Sequence, residues 1–216
     1  VGAADGSSPK TNVNIRNFKL QVEPNIHGIC INGGTEIKVV DDVVESIGPK
    51  SAGRTGIVFT DGSAPSTPGS RFTATRSIVT YSGVGNRWVD GVHFDGNNDN
   101  PPGNLWGYGS GITDSIISEM IVNEAQETSY VFSNVSASGI FSNRARNLGY
   151  TAGAFGLFLN DAQDVTVINN TLEGVNNTAV AISLYDSVTN STIIGNMVRG
   201  GPATYTTGID VRAATD

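Results

Sequence analysis

Twenty acidic side chains stand against thirteen basic ones in 216 residues, and a few of those carboxyls are spaced so that they could do chemistry. Acid–base cleavage of a glycosidic bond takes two carboxyl groups about 5 to 9.5 Å apart. Asp99 with Glu124 or Glu127 is one candidate catalytic pair, and Asp161 with Asp186, which hold the same place in two successive similar segments, is another. The competing explanation for each is a solvated turn acid. DGNNDN, Asp95 to Asn100, alternates oxygen ligands as a Ca²⁺ loop does, but it lacks the Gly at the sixth position and has Trp106 where the bidentate Glu would stand. A looser Ca²⁺ site of Asp95, Asn97 and Asp99 is the metal candidate, weighed against an Asn-rich turn.

What would position these groups is a repeat. DVTVINNTLEG, Asp164 to Gly174, returns 26 residues later as NSTIIGNMVRG, Asn190 to Gly200. A short apolar-x-apolar strand precedes each such unit: Ile29/Ile31, Ile57/Phe59, Val79/Tyr81, Trp106/Tyr108, Tyr130/Phe132, Leu157/Leu159, Ile182/Leu184 and Ile209/Val211. The first residues of these pairs lie 22 to 28 residues apart, a period typical of solenoids. Alternation at period two predicts strands, and its interruption at Asn169-Asn170 predicts a corner, giving three short strands per turn. Asn suits such a corner because it tolerates left-handed dihedrals and its amide can bond the Asn stacked above it. Asn143, Asn170 and Asn196 should form that ladder, with Asp42, Val92 and Glu119 as the earlier equivalents.

With DGVHFDGNND, Asp90 to Asp99, and these rungs, the sequence resembles the right-handed parallel β-helix of the pectate lyase type, shared by polysaccharide lyases, hydrolases and phage tailspikes. The resemblance implies an all-β, single-stranded solenoid of about eight rungs over residues 1–216, with a partial N-terminal rung before residue 28 and irregular rungs before residue 100. It identifies a fold and not an activity. In that family the substrate lies along the first strand of each rung, in a cleft walled by the loops leading into it. Here the longest loops are Glu45 to Gly56, Asp95 to Leu105 and Arg146 to Ala154; Arg54, Arg146 and Tyr150 on them, with Trp106 just after the second, are the candidate sugar-binding residues. Two family motifs fail: NRWVDGVHF has Gly91 where the pectate lyase His belongs, with His93 two residues late, and NIHGICING lacks the companion motifs of polygalacturonases, leaving His27 a satisfied loop histidine.

Other features limit function. A net charge of −7 with scattered basic residues gives no footprint for nucleic acid. No run of eighteen apolar residues is present to span a membrane. The lone Cys30 excludes an internal disulfide and reads as a packing residue. The column after the third strand, Asp95, Val122, Arg146, Glu173, Arg199, reads as a charge ladder. The outward residues of the first strand, Cys30, Val58, Thr80, Gly107, Val131, Phe158, Ser183 and Asp210, place Val131 beside Phe158, an apolar strip that suggests a covering loop or second subunit. Tailspikes are trimers, so the resemblance is compatible with a homotrimer.

Neither end carries a recognisable cap, so the expectation is a fragment of a longer chain or a protein whose ends are covered by partners. The functional expectation is a carbohydrate-recognising extracellular, cell-surface or virion protein binding a polysaccharide or cell-surface glycan. If catalytic, it would be a polysaccharide lyase or glycoside hydrolase; the alternative is a non-catalytic structural or receptor-binding segment of a tail fibre, capsid appendage or adhesin. No cofactor is expected beyond the candidate Ca²⁺.

Overall fold

The computed structural model describes residues 10–22, 27–47, 55–61, 69–82, 88–96, 111–147, 155–175, 180–200 and 207–213. Every regular element among them is a β-strand. The chain visits three sheets in turn, as in Thr166–Ile168 of sheet A, Thr171–Val175 of sheet B and Val180–Asp186 of sheet C. The next turn repeats this with Thr192–Ile194, Met197–Gly200 and Thr207–Ala213, each pairing in parallel with its predecessor. The molecule is therefore a parallel β-solenoid, with seven strands described in each of sheets B and C. Alternation within each strand sends one set of side chains inward, where they form one continuous core from Ile29 to Ile182.

The register differs from expectation in the middle. Val79 and Tyr81 belong to Ile78–Ser82, a sheet B strand between Val43–Ile47 and Ile121–Asn123. The sheet C strand after Ile57–Thr60 is Asp90–Asp95, whose Val92 and Phe94 pair with Ile57 and Phe59. First-strand pairs thus run Ile57, Val92, Tyr130, steps of 35 and 38 residues, while Trp106 and Tyr108 lie outside the described residues. The apolar-x-apolar signature cannot tell one sheet from another, because all three carry it. Steps of 35 and 38 residues also exceed the 22 to 28 of the simple repeat.

Four phenylalanines pack together in the middle of the core. Phe59 and Phe94 have ring centroids 4.6 Å apart, Phe94 and Phe132 5.3 Å, and Phe72 packs 5.1 Å from Phe59. Such contacts add about 0.5–1.5 kcal/mol each beyond area burial. Tyr130 shares this interior and donates its hydroxyl to the Arg144 carbonyl at 2.7 Å. Burial holds its phenol well above the usual range.

The corner between sheets A and B carries the expected ladder, and it is longer than expected. Asn143 N–H and Nδ2 both donate to Asn170 Oδ1 at 2.9 Å; Asn170 N–H and Nδ2 donate likewise to Asn196 Oδ1. Upstream, Phe18 N–H donates to Asp42, Asp42 N–H to Ser77, Ser77 N–H to Met120 Sδ, and Met120 N–H to Asn143 Oδ1. Asp42 stands where expected, but Ser77 and Met120 take the places assigned to Val92 and Glu119. Glu119 is the left-handed residue just before the ladder, as are Asp41, Arg76, Ser142 and Asn169, with φ between 48° and 59°. Few non-glycine residues adopt this conformation unaided; the ladder bonds beside it offset the cost.

The charge column holds for Arg146, Glu173 and Arg199, which are in register. Its upstream members are Asn123 and Thr80, in place of Val122 and Asp95. Glu173 receives Arg144 at 2.6 Å and Arg199 at 3.3 Å, with Arg146 3.8 Å away. The Arg144 bond, with the neighbouring guanidinium charges, lowers its carboxyl pKa against a smaller opposing effect of burial.

Candidate functional site on sheet C

Between inward Val92 and Phe94, His93 must point outward. It replaces Thr80 and Gly107 in the outward column, which reads Cys30, Val58, His93, Val131, Phe158, Ser183, Asp210. Beside it runs a second outward column of Asn32, Thr60, Asp95, Ser133, Asn160 and Tyr185. Much of this face is dry: Val58 is 1% exposed, Val131 4%, Ser133 5% and Ser183 0%. Of the apolar strip that suggested a covering loop or second subunit, Val131 is already out of solvent in the single chain and Phe158 is half-buried. Cys30, read from sequence as a packing residue, sits at the exposed end of the column.

Polar groups gather at the centre of this face. His93 Nδ1 lies 3.5 Å from Asp90 Oδ2, and His93 Nε2 lies 3.3 Å from Ser133 Oγ. The Asp90 and His93 side chains are 16% and 18% exposed. Burial alone would depress the imidazolium, but the Asp90 hydrogen bond and the charges of Asp95 and Asp90 outweigh it, so the pKa is raised. Ser129 Oγ, Asn160 Oδ1 and Ser183 Oγ are buried here with no hydrogen-bond partner. An aromatic run borders them, Phe155 to Phe158 at 4.9 Å and Phe158 to Tyr185 at 6.0 Å, with Tyr185 40% exposed.

The residues singled out from sequence are more dispersed. Glu124 turns the corner from sheet B toward sheet C at φ 62° and accepts from Asn147 Nδ2 at 3.3 Å. Glu127 is exposed just before Thr128–Ser133, its carbonyl accepting from Phe155 N–H. Asp161 and Asp186 are successive left-handed corners, at φ 48° and 53°, where the chain leaves sheet C. Arg146 is half-exposed in the charge column, and Asp95 ends the His93 strand beside Ser133. Asn97, Asp99, Arg54, Tyr150 and Trp106 lie outside the described residues. Among the described residues no three His, Cys, Asp or Glu side chains are grouped to hold a metal ion. His27 Nδ1 accepts from Thr55 N–H at 3.1 Å.

Sequence reasoning missed Asp90, His93 and Ser133 as a group. Counting by twos from Val92 would have put His93 and Asp95 outward, but the register then placed that segment elsewhere. No family model and no curated protein matches the chain. What the fold defines is the class: a parallel β-solenoid with a partly dry polar and aromatic face on one sheet.

Proposed function

We propose that the outward face of sheet C binds an extended carbohydrate chain, and that the solenoid is a glycan-recognising element of an extracellular or virion protein. The observation that carries this is the juxtaposition of unpaired polar atoms of Ser129, Asn160 and Ser183 with the Phe155–Phe158–Tyr185 run. A buried polar atom without a partner costs about 1–3 kcal/mol, a cost that a ligand hydroxyl would relieve. Aromatic faces pack the apolar faces of sugar rings while hydroxyls take up the hydrogen bonds. The right-handed pectate lyase-type fold is the finer form of this reading, and cleavage by paired carboxyls among Asp99, Glu124, Glu127, Asp161 and Asp186 is its catalytic form.

Titration of the protein with a panel of acidic and neutral polysaccharides tests it. Binding should weaken about tenfold in Tyr185→Ala, the loss of one aromatic platform; no binding across the panel, or binding indifferent to Tyr185, would refute it. A second reading, a non-catalytic spacer, is favoured by the side-chain ladder that runs unbroken from Phe18 to Asn196. Glycan turnover would separate the two.

A further inference from the structure

His93 holds both ring nitrogens against partners that give it a direction. On one side is a carboxylate, Asp90 Oδ2 at 3.5 Å from Nδ1; on the other is a hydroxyl, Ser133 Oγ at 3.3 Å from Nε2. Activating a serine requires that order: a base in reach of the hydroxyl, itself oriented by an acid on its far nitrogen. Such contacts are commonly longer in the free protein than in the reacting complex. The three residues are held rigidly, since Asp90 and His93 share one strand and Ser133 stands opposite Asp95 on the next, a diagonal neighbour of His93.

We propose that Ser133, His93 and Asp90 form a nucleophile, base and orienting acid that hydrolyse esters of short carboxylic acids. Asn160 supplies the fourth element. It pairs in register with Ser133, and its buried Oδ1 has no hydrogen-bond partner. Turned toward an acyl group on Ser133, that carboxamide would offer Nδ2 as the donor an oxyanion needs. Ser133 is only 5% exposed, which disfavours a bulky acyl group.

The steps balance without any other reagent. Ser133 Oγ bonds to the acyl carbon as its proton passes to His93 Nε2, and Asn160 Nδ2 donates to the resulting oxyanion. The bond from the acyl carbon to the alkoxy oxygen breaks, and the alcohol leaves with the proton from His93. Water then attacks the acyl-serine, giving its proton to His93, and Ser133 departs with that proton. The products are an alcohol, a carboxylate and one proton released to solvent. Hydrolysis goes beyond the glycan reading; only the identification of the alcohol as a sugar rests on it.

The full chain is assayed with p-nitrophenyl acetate and p-nitrophenyl decanoate, with an O-acetylated oligosaccharide, and with a fluorophosphonate probe followed by peptide mapping. The expected results are acetate turnover that exceeds decanoate, fluorophosphonate attached to Ser133, and loss of about 10²-fold or more in rate in Ser133→Ala and His93→Ala with unchanged circular dichroism. Asp90 is a positioning residue, so Asp90→Asn should lower kcat and also move the acid limb of the pH profile downward, because a carboxylate that stabilises the imidazolium is gone. Absence of fluorophosphonate labelling on the wild-type protein, or acetate turnover unaffected by Ser133→Ala, overturns the proposal. Turnover of the p-nitrophenyl ester without release from the oligosaccharide refutes the sugar half and supports the hydrolytic half.

Discussion

Asp42 is the odd member of the corner ladder, and replacing it with Asn should stabilise the protein. At Asn143, Asn170 and Asn196 one amide end accepts from the preceding rung, while Nδ2 also donates to a sheet A carbonyl, those of Ile117, Ile140 and Val167. In register, the equivalent carbonyl for Asp42 is that of Ile15. Asp42 Oδ1 accepts from Phe18 N–H at 2.8 Å, but Oδ2 is buried and has no partner. An ionised carboxylate has no proton to offer a carbonyl. Burial therefore raises the pKa of Asp42, with the hydrogen bonds from Phe18 and Val40 opposing and the Asp41 charge adding.

The sign of the pH dependence follows from that direction. A carboxyl whose folded pKa lies above its unfolded value contributes fully below the unfolded pKa of about 3.9, and this contribution is lost as pH rises through the folded pKa. Asp42→Asn restores one hydrogen bond worth about 1 kcal/mol and removes an ill-solvated charge, so the gain at pH 7 should be about 1–3 kcal/mol. For a chain of this size that is a rise in Tm of about 2–12 °C. Urea melts of both proteins at intervals from pH 3 to pH 8 would show the gap opening as pH rises. Asp41, whose pKa is lowered by its hydrogen bond to Arg76 despite slight desolvation, is common to both proteins and cancels. A variant less stable than wild type at pH 7, or a gap constant with pH, would refute the reasoning.

Asn170→Ala should cost about 2–4 kcal/mol by leaving the buried Asn143 N–H unpaired, against about 1 kcal/mol for Asn196→Ala at the half-exposed end of the ladder; equal losses in urea melts would deny the ladder its role. Tyr130→Phe strips the donor from the Arg144 carbonyl and should cost about 1–2 kcal/mol with no change in fold by circular dichroism. Gly91→Ala should destabilise by about 1–3 kcal/mol, because its Cβ would sit 2.6 Å from the Ser129 carbonyl oxygen and 2.5 Å from Val122. Glu173→Gln, in spite of three neighbouring arginines, should leave Tm nearly unchanged, since exposed ion pairs contribute little.

The solenoid was legible because its physics is local and repeated. Period-two alternation, the Asn169-Asn170 corner and the recurrence of whole rungs all express one requirement, a strand that buries every second side chain and then turns. Where rungs kept their length, from Tyr130 onward, the first-strand pairs and the Asn ladder emerged in correct register. In the middle the apolar pairs Val79/Tyr81 and Val92/Phe94 are equivalent as patterns, and nothing local says which belongs to sheet B. That single slip moved His93 out of the outward column and hid its neighbours. The acids chosen for chemistry were selected by charge and spacing, but Glu124, Asp161 and Asp186 stand at left-handed corners, a placement that backbone geometry governs and side-chain chemistry does not reveal.

Elsewhere on the solenoid, outward polar side chains pair from rung to rung. Gln21 meets Glu45, Thr35 meets Ser70, Ser118 meets Thr75, and Arg76 meets Asp41. Stacking like positions about 4.8 Å apart makes such pairing easy. On sheet C the same geometry is available to Ser129, Asn160 and Ser183, and yet their polar atoms are buried without a partner. Orphaned atoms also occur singly, as at Asp42 Oδ2 and Ser46 Oγ, but here three share the outward face of one sheet, a departure expected where a site keeps groups ready for something outside the chain. His93, poised between Asp90 and Ser133 on that same face, gives the departure a chemical direction.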